Sequence, residues 1–374
     1  MTEKTVLLIG AGTVGRSVAN FLALSPSVEK LIVADKDKLK AHLAAINAEV
    51  SAIYFGLGPK VEHVALDLND EENAADLIGQ IDPNVIIHCT TMLPCWFYIP
   101  LIKRRIKEIG LDGYYPAHTV AKDLVLVYKL MKAVKRSGTK ARTVNITFPD
   151  NVHPALYKQG LSPTIGAGNV DITALGVRKI VANRLNLPVR SISVTIIGHH
   201  ALNWAPPEKL PYYIKIRMGE KDITKKFNTH ELITAANDFL VRDYDEQMAA
   251  SSAVKQALSI LEDRGEIVLG SGVSGITGCL PVRLGAKDLE IVMPDDLSLD
   301  EAIKMNEMGL KMDGIEGYEP DGTIIFTEKT ARLLEEGLGI KRRRLRLDEA
   351  EEMAKELISA YNSLDKKYKG NQNQ

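Results

Sequence analysis

One stretch constrains this chain more than any other: TVLLIGAGTVGRSVANFLAL, residues 5–24. The apolar run Thr5–Ile9 reads as a buried strand, and Val14, Val18, Phe21 and Leu22 then recur at helical spacing. Between strand and helix lies Gly10-x-Gly12-x-x-Gly15. Gly10 permits the tight turn, Gly12 lets backbone approach a pyrophosphate, and Gly15 lets the helix sit close to the strand. Thr13 and Val14 complete the first helical turn, whose free N–H groups face the anion. A second strand, KLIVAD, ends at Asp35, twenty residues after Gly15. A carboxylate there accepts hydrogen bonds from the adenosine ribose hydroxyls and repels a 2′-phosphate, which favours NAD. Lys36 and Lys38 follow at once and keep NADP open. The plainer role for Asp35 is that of a surface acid at a strand end.

The alternation continues. VEHVALDLND reads as a third strand with Asp67 where an adenine edge could be met, and NVIIHCTT as a fourth ending at Thr90 and Thr91. A helix over 124–134 precedes the strand in ARTVNITFPD, which carries Asn145. This rhythm predicts an α/β fold with a doubly wound parallel sheet, whose ligands bind beyond the carboxyl ends of the strands. Asp67, Thr90, Thr91 and Asn145 are cofactor candidates by position, Asn145 also for substrate; each could equally cap or turn the chain.

At 374 residues the chain exceeds one core, so we expect a Rossmann domain over 1–150, an α+β substrate domain over 151–340, and a C-terminal helix and flexible tail over 341–374. A net charge of −1 provides no field for nucleic acid or an anionic membrane. Cys89, Cys95 and Cys279 are too few and scattered for a disulfide framework, and none has zinc-ligand spacing. We therefore expect a cytoplasmic protein without a bound metal. The N-terminus enters a strand at once, so no secretion leader is expected. The apolar run 85–102 contains His88, Pro94 and Pro100 and is a poor membrane span.

A strand in VRSISVTIIGHH ends at two adjacent histidines, His199 and His200. Before it, GAGNVDITALGVRKIVANRLNL predicts a helix from about Asn169, with Asp171 in its first turn. An acid there has a bland role as partner of the helix dipole, but a short connection could also bring Asp171 to His200.

The ordered set GAGTVG, FPD, GAGNVD, IIGHHA resembles the lactate/malate dehydrogenase superfamily. So do SSAVKQALSILEDRGEIVLGSG and GITGCLPVRLGAKDLEIVMPDDLSLDEA further on, over most of the chain to about Gly309. The resemblance implies a proton relay in which Asp171 orients His200, with His199 outside it. Imidazole titrates near neutrality and can give and recover the proton of an alcohol. It also implies a small-molecule substrate and a homodimer or homotetramer.

Three positions depart from that family. Its substrate-clamping Arg falls on Ala174; Arg178, one turn on, is displaced by roughly 5–6 Å. Its Asn-Pro falls on Phe148–Pro149. Its mobile loop corresponds to a longer, aromatic-rich stretch from Thr90 to Asp123, where Arg104 is a candidate substrate contact and His118 a second acid/base or a cap. The expectation is an NAD-dependent oxidoreductase interconverting a secondary alcohol and a ketone, its substrate not a bare 2-hydroxy acid. The rivals are an amino-acid oxidoreductase, since the first half also resembles saccharopine dehydrogenases, an NAD-dependent glycosidase, and a non-catalytic NAD-binding protein. The basic run KRRRLR, 341–346, reads as a solvated face.

Overall fold

The structure is a computed structural model that describes residues 3–242 and 246–370, with the side chains of 239–242 left aside. Its elements in chain order are β1 (Thr5–Ile9), α1 (Thr13–Ala23), β2 (Lys30–Asp35), α2 (Lys38–Tyr54), β3 (Lys60–Ala65), α3 (Glu71–Ile81), β4 (Val85–His88), α4 (Cys95–Glu108), α5 (Val120–Ser137), β5 (Arg142–Asn145), α6 (Pro149–Tyr157), β6 (Ile165–Gly166) and α7 (Val170–Arg184). There follow β7 (Ile192–Ile197), β8 (Tyr213–Met218), β9 (Lys221–Asp222), α8 (Thr229–Arg242), α9 (Glu246–Glu262), β10 (Glu266–Ser271), β11 (Cys279–Leu284), β12 (Leu289–Ile291) and α10 (Leu299–Asp313). The chain closes with β13 (Ile315–Tyr318), β14 (Ile324–Phe326), α11 (Glu328–Arg332), β15 (Arg344–Leu345) and α12 (Ala350–Gly370).

The main sheet has the order β12-β11-β10-β6-β5-β4-β1-β2-β3. Strands β1 to β6 run parallel and β10 to β12 antiparallel. The expected doubly wound α/β sheet is therefore present, and its chain order reverses between β1 and β4. Ile9 pairs with Ala34 on one side and His88 on the other, and His88 pairs with Asn145. Strands β1 and β4 are buried along their whole length, which is why they read as continuous apolar runs.

A second sheet, β7-β8-β9, is antiparallel and packs on α7 and α8 through Val177, Val181, Ile196, Ile216 and Leu232. A third, β13-β14-β15, joins α12 against the first half: Leu345, Leu357 and Tyr361 share a core with Ile78, Leu124 and Leu130. The last helix continues to Gly370, so the tail expected to be flexible is helical as far as that residue; 371–374 lie outside the described residues.

The stretch expected as a long loop from Thr90 to Asp123 holds α4 instead. Its Tyr98, Ile102 and Ile106 recur every four residues and bury one face, and Pro94 precedes the first turn as N-cap. The basic run is also more than a solvated face. Lys341, Arg342, Arg343, Arg344 and Arg346 each pair with a nearby acid, Arg342 with Glu349, Glu352 and Glu356 together. No helix among the described residues is long and apolar enough to cross a membrane.

Candidate active site

The glycine turn behaves as its spacing predicts. Gly10 has φ of +104°, and a Cβ there would lie 2.9 Å from Cys89 C and Thr90 Cγ2. A Cβ on Gly15 would lie 1.8 Å from Gly10 O, so strand and helix require glycine at both places. Around Gly12 nothing comes within 4 Å of that position, so this backbone is open. Helix α1, with Gly12 as N-cap, has no side-chain cap and no acid in its first turn. Helices α2, α3 and α10 are capped by Asp37, Asp70 and Ser298. The N–H groups around Thr13 and Val14 are thus left for an anion.

Asp35 is fixed beside this turn. Its Oδ2 accepts from Ala11 N at 2.8 Å and its Oδ1 from Asp37 N at 2.9 Å. Asp67 is an exposed turn former whose Oδ1 accepts from the main-chain and side-chain nitrogens of Asn69.

At the ends of β4 and β5 lies a sealed polar chain. Asn145 is fully buried, and its Oδ1 accepts from Thr147 N at 3.0 Å. That backbone donor fixes which amide atom is oxygen, so His88 Nδ1, 2.9 Å from the same oxygen, must donate. His88 Nε2 then accepts from the Thr90 hydroxyl at 2.6 Å. Asn145 Nδ2 donates to Thr147 O and to His153 Nε2, both at 3.0 Å. Asn145 therefore has no group left for a cofactor or a substrate. This corrects the expected role: it is the hub that ties β4 and β5 to α6. Burial pushes His88 down to about 4 and His153 to about 3, so both imidazoles are neutral. Thr90, already donating to His88, offers only lone pairs to a ligand.

His200 stands where β7 ends, but it does not meet Asp171. Its Nδ1 lies 2.8 Å from Asp313 Oδ2, on the last residue of α10. Asp171 instead accepts from the Ser252 hydroxyl at 2.8 Å, with Lys255 3.9 Å away. The expected relay is corrected accordingly. Asp171 turns to Ser252 and Lys255 of α9, whereas Asp313 ends α10, which packs on the turn that carries His200.

Asp313 is fully buried and also accepts from Trp204 Nε1 at 2.8 Å and Asn151 Nδ2 at 3.0 Å. Asp150 Oδ1 accepts from the His200 main-chain N at 3.2 Å, and Asp150 Oδ2 from Asn169 Nδ2. The Phe148 ring meets the imidazole edge-on at 5.0 Å. His200 Nε2 has no partner among the described residues and is not sealed away; the side chain is 21% exposed.

Burial pushes His200 down, but the charge and hydrogen bond of Asp313, with Asp150 and Asp123 behind it, outweigh this and hold it above its ordinary value of 6.5. Burial likewise pushes Asp313 up, and the two imidazoles with the Trp204 bond more than reverse it. His199 is buried and packs on Gly309; its Nδ1 accepts from Ala201 N at 3.2 Å and lies 3.6 Å from Asp313 Oδ2, so it backs the pair without a bond to it.

A buried ion pair completes the cluster. Lys122 Nζ lies 2.5 Å from Asp123 Oδ1 at the start of α5, and both approach the Thr91 hydroxyl at 3.4 Å. Burial raises Asp123 above the ordinary carboxyl range, against the pull of Lys122.

The remaining candidates are elsewhere. Arg178 Nε donates to Val189 O, at the far end of β7, about 20 Å from His200 by strand rise. Arg104 lies over the Tyr368 ring at 3.9 Å, between α4 and α12. Neither contacts the cluster around His200. His118 is sealed between Tyr115 O and the Tyr361 hydroxyl, both at 2.5 Å, and burial pushes it down to about 4.

Sequence reasoning missed Asp313, Asp150, Trp204 and the Lys122–Asp123 pair. One signal was available for Asp313: an acid ending a helix just before its glycine cap opposes the helix dipole and needs another partner.

Comparison with known proteins bears on the fold and on the nucleotide-binding half. A family described as the saccharopine dehydrogenase NADP binding domain matches residues 6–93. Malate dehydrogenases of Halobacterium salinarum and Haloferax volcanii are 25% and 26% identical over 148 residues, 36% of this chain. The match spans about half, 47%, of the length of those relatives. Among solved structures, malate dehydrogenase of Picrophilus torridus superposes with a TM-score of 0.62 at 18% identity, covering 83% of this chain and 96% of that one. Lactate dehydrogenase of Cryptosporidium parvum, solved with lactic acid and nicotinamide adenine dinucleotide, gives 0.63 at 17%, covering 84% and 96%. The class is that of α/β proteins built on a parallel central sheet with a nucleotide-binding first part. Within it, this chain has the lactate and malate dehydrogenase fold.

Proposed function

We propose that this chain is an NAD-dependent oxidoreductase that interconverts a secondary alcohol and a ketone, with His200 as its proton carrier. The observation that carries the reading is the His200–Asp313 pair, with Nδ1 held and Nε2 open. The open turn at Gly12 and the uncapped start of α1 suit a dinucleotide pyrophosphate. Asp35, held rigidly beside that turn, suits ribose hydroxyls and disfavours a 2′-phosphate. A bound nicotinamide supplies the two-electron acceptor. In the oxidising direction, neutral His200 takes the alcohol proton at Nε2. Asp313 accepts from Nδ1–H, fixes the tautomer and stabilises the imidazolium as it forms. In the reducing direction the imidazolium returns the proton to the nascent alkoxide.

The test is the His200→Asn variant. It should keep its NAD affinity within about twofold and lose about 10²- to 10⁴-fold in kcat, followed as NADH absorbance. Unchanged turnover would end the assignment.

The same reading extends to assembly. Helix α2 buries only alanines, Ala41, Ala44, Ala45, Ala48 and Ala52, and turns Leu39, Leu43, Ile46, Val50 and Ile53 to solvent. These exposed positions alternate four and three apart, the spacing of a helix-packing seam. The reading assigns that seam to the same face of a second copy. Light scattering should give twice the chain mass for the parent protein and the single mass for Val50→Lys, with the circular dichroism unchanged.

A further inference from the structure

Among the described residues, the surroundings of His200 are poor in cations and rich in hydrogen-bond acceptors. Where the dehydrogenase pattern of the sequence calls for an arginine there is Ala174, 4% exposed among the side chains of α7 and β7. Arg178 is held at Val189. Lys122 directs its donors to Asp123 and Thr91, and it sits 5.1 Å from the Tyr98 ring, so its charge is matched and its ammonium sealed.

The acceptors are another matter. Asp123 is 5% exposed and uses Oδ1 for Lys122 and Thr91. Its Oδ2 takes no bond from the described residues and is open to solvent. Asn169 donates Nδ2 to Asp150, which leaves its Oδ1 equally unpartnered and unsealed. In the same turn as His200, Asn203 donates Nδ2 to Asn169 O, while its Oδ1 is buried with no donor at all. Asp123 is tied to the His200 site through the strand ends: it accepts from Thr91, the neighbouring Thr90 carbonyl accepts from the Thr147 hydroxyl, and Phe148, next in the chain, meets the imidazole at 5.0 Å.

A carboxylate brought to His200 would meet these lone pairs with the charges of Asp313 and Asp150 behind them and no free cation among the described side chains named above. A strong cation has little to gain either, since Lys122 and the imidazolium offset most of the negative charge. Neutral hydroxyl donors satisfy the arrangement.

Building on the oxidoreductase reading, we propose that the substrate is an uncharged polyhydroxy alcohol lacking a carboxylate, one of whose hydroxyls, next to the reacting carbon, donates to Asp123 Oδ2. Asp123 is then a specificity-determining residue, and the buried Lys122 holds its Oδ1 and leaves Oδ2 for the substrate.

The full chain with NAD should be assayed for NADH formation with cyclic and open-chain polyols alongside L-malate and L-lactate. The expected result is turnover of at least one polyol, with kcat/KM at least about 10²-fold above both hydroxy acids. Asp123→Asn should then raise KM for that polyol by about 10- to 100-fold while leaving NAD affinity in place. Equal or better turnover of malate or lactate overturns the substrate class and leaves the redox reading intact. NAD binding with no turnover of any alcohol overturns both. The panel on the unaltered chain decides the matter even if Asp123→Asn fails to fold, and turnover of amino alcohols in preference to polyols overturns the uncharged class.

Discussion

Two histidine clusters lie at strand ends of this molecule, and they do opposite things. At β4 and β5, His88 and His153 are joined through the amide of Asn145, and burial drives them to about 4 and about 3. At the end of β7, His200 is joined to the carboxylate of Asp313 and stays above 6.5. Desolvation acts on both; what differs is the partner. The amide oxygen favours charged His88 too weakly to offset its burial, and the amide N–H that faces His153 favours the neutral ring. A carboxylate orients the imidazole and stabilises its charged form, and only the second arrangement has a proton to offer near neutrality.

The comparison can be broken most directly at its carboxylates. Asp313→Asn should cost about 10²- to 10⁴-fold in kcat and move the acidic limb of the oxidation profile to lower pH. Asp171→Asn, which removes a partner of Ser252 instead, should stay within about threefold of the parent. Equal losses in the two variants would erase the distinction.

The next effect concerns stability. His88, His118 and His153 have folded values below the unfolded value of 6.5, so the unfolded chain binds more protons. Their contribution is complete above about 6.5 and is lost as pH falls toward 4, by about 3 kcal/mol for each imidazole. Urea midpoints should fall steeply across that window. In the same samples, NMR should show His200 titrating above 6.5 while His88 and His153 stay neutral to about pH 4. The smallest effect is expected at the far side of the sheet edge. Asp35→Ala should weaken NAD binding and narrow its preference over NADP by about 10-fold, read as a ratio of Kd values.

How much of this a reader of the sequence could anticipate depends on distance along the chain. The turn at Gly10–Gly15 carries all its determinants within six residues, and the strand and helix around it fall where periodicity puts them. His200 is legible as the end of a β-branched run. Its partner is not, because Asp313 lies 113 positions away and reaches it only through the packing of α10 on the turn after β7. The nearer acid, Asp171, is drawn off by Ser252. Asn145 misleads for a related reason: a polar residue at a strand end can face a ligand or tie neighbouring elements together, and its three partners on β4, α6 and the following turn become visible only in three dimensions.

The C-terminal strap has a consequence for the order in which this protein can mature. Leu345, Met353, Leu357 and Tyr361 roof the core that begins with Leu7 and Ile9, and Asp313 comes just before them. A nascent chain leaving the ribosome therefore holds its nucleotide turn and both histidines long before the acid and the roof arrive. The early half waits with one apolar side uncovered, and the His200–Asp313 pair can close only after α10 has been made.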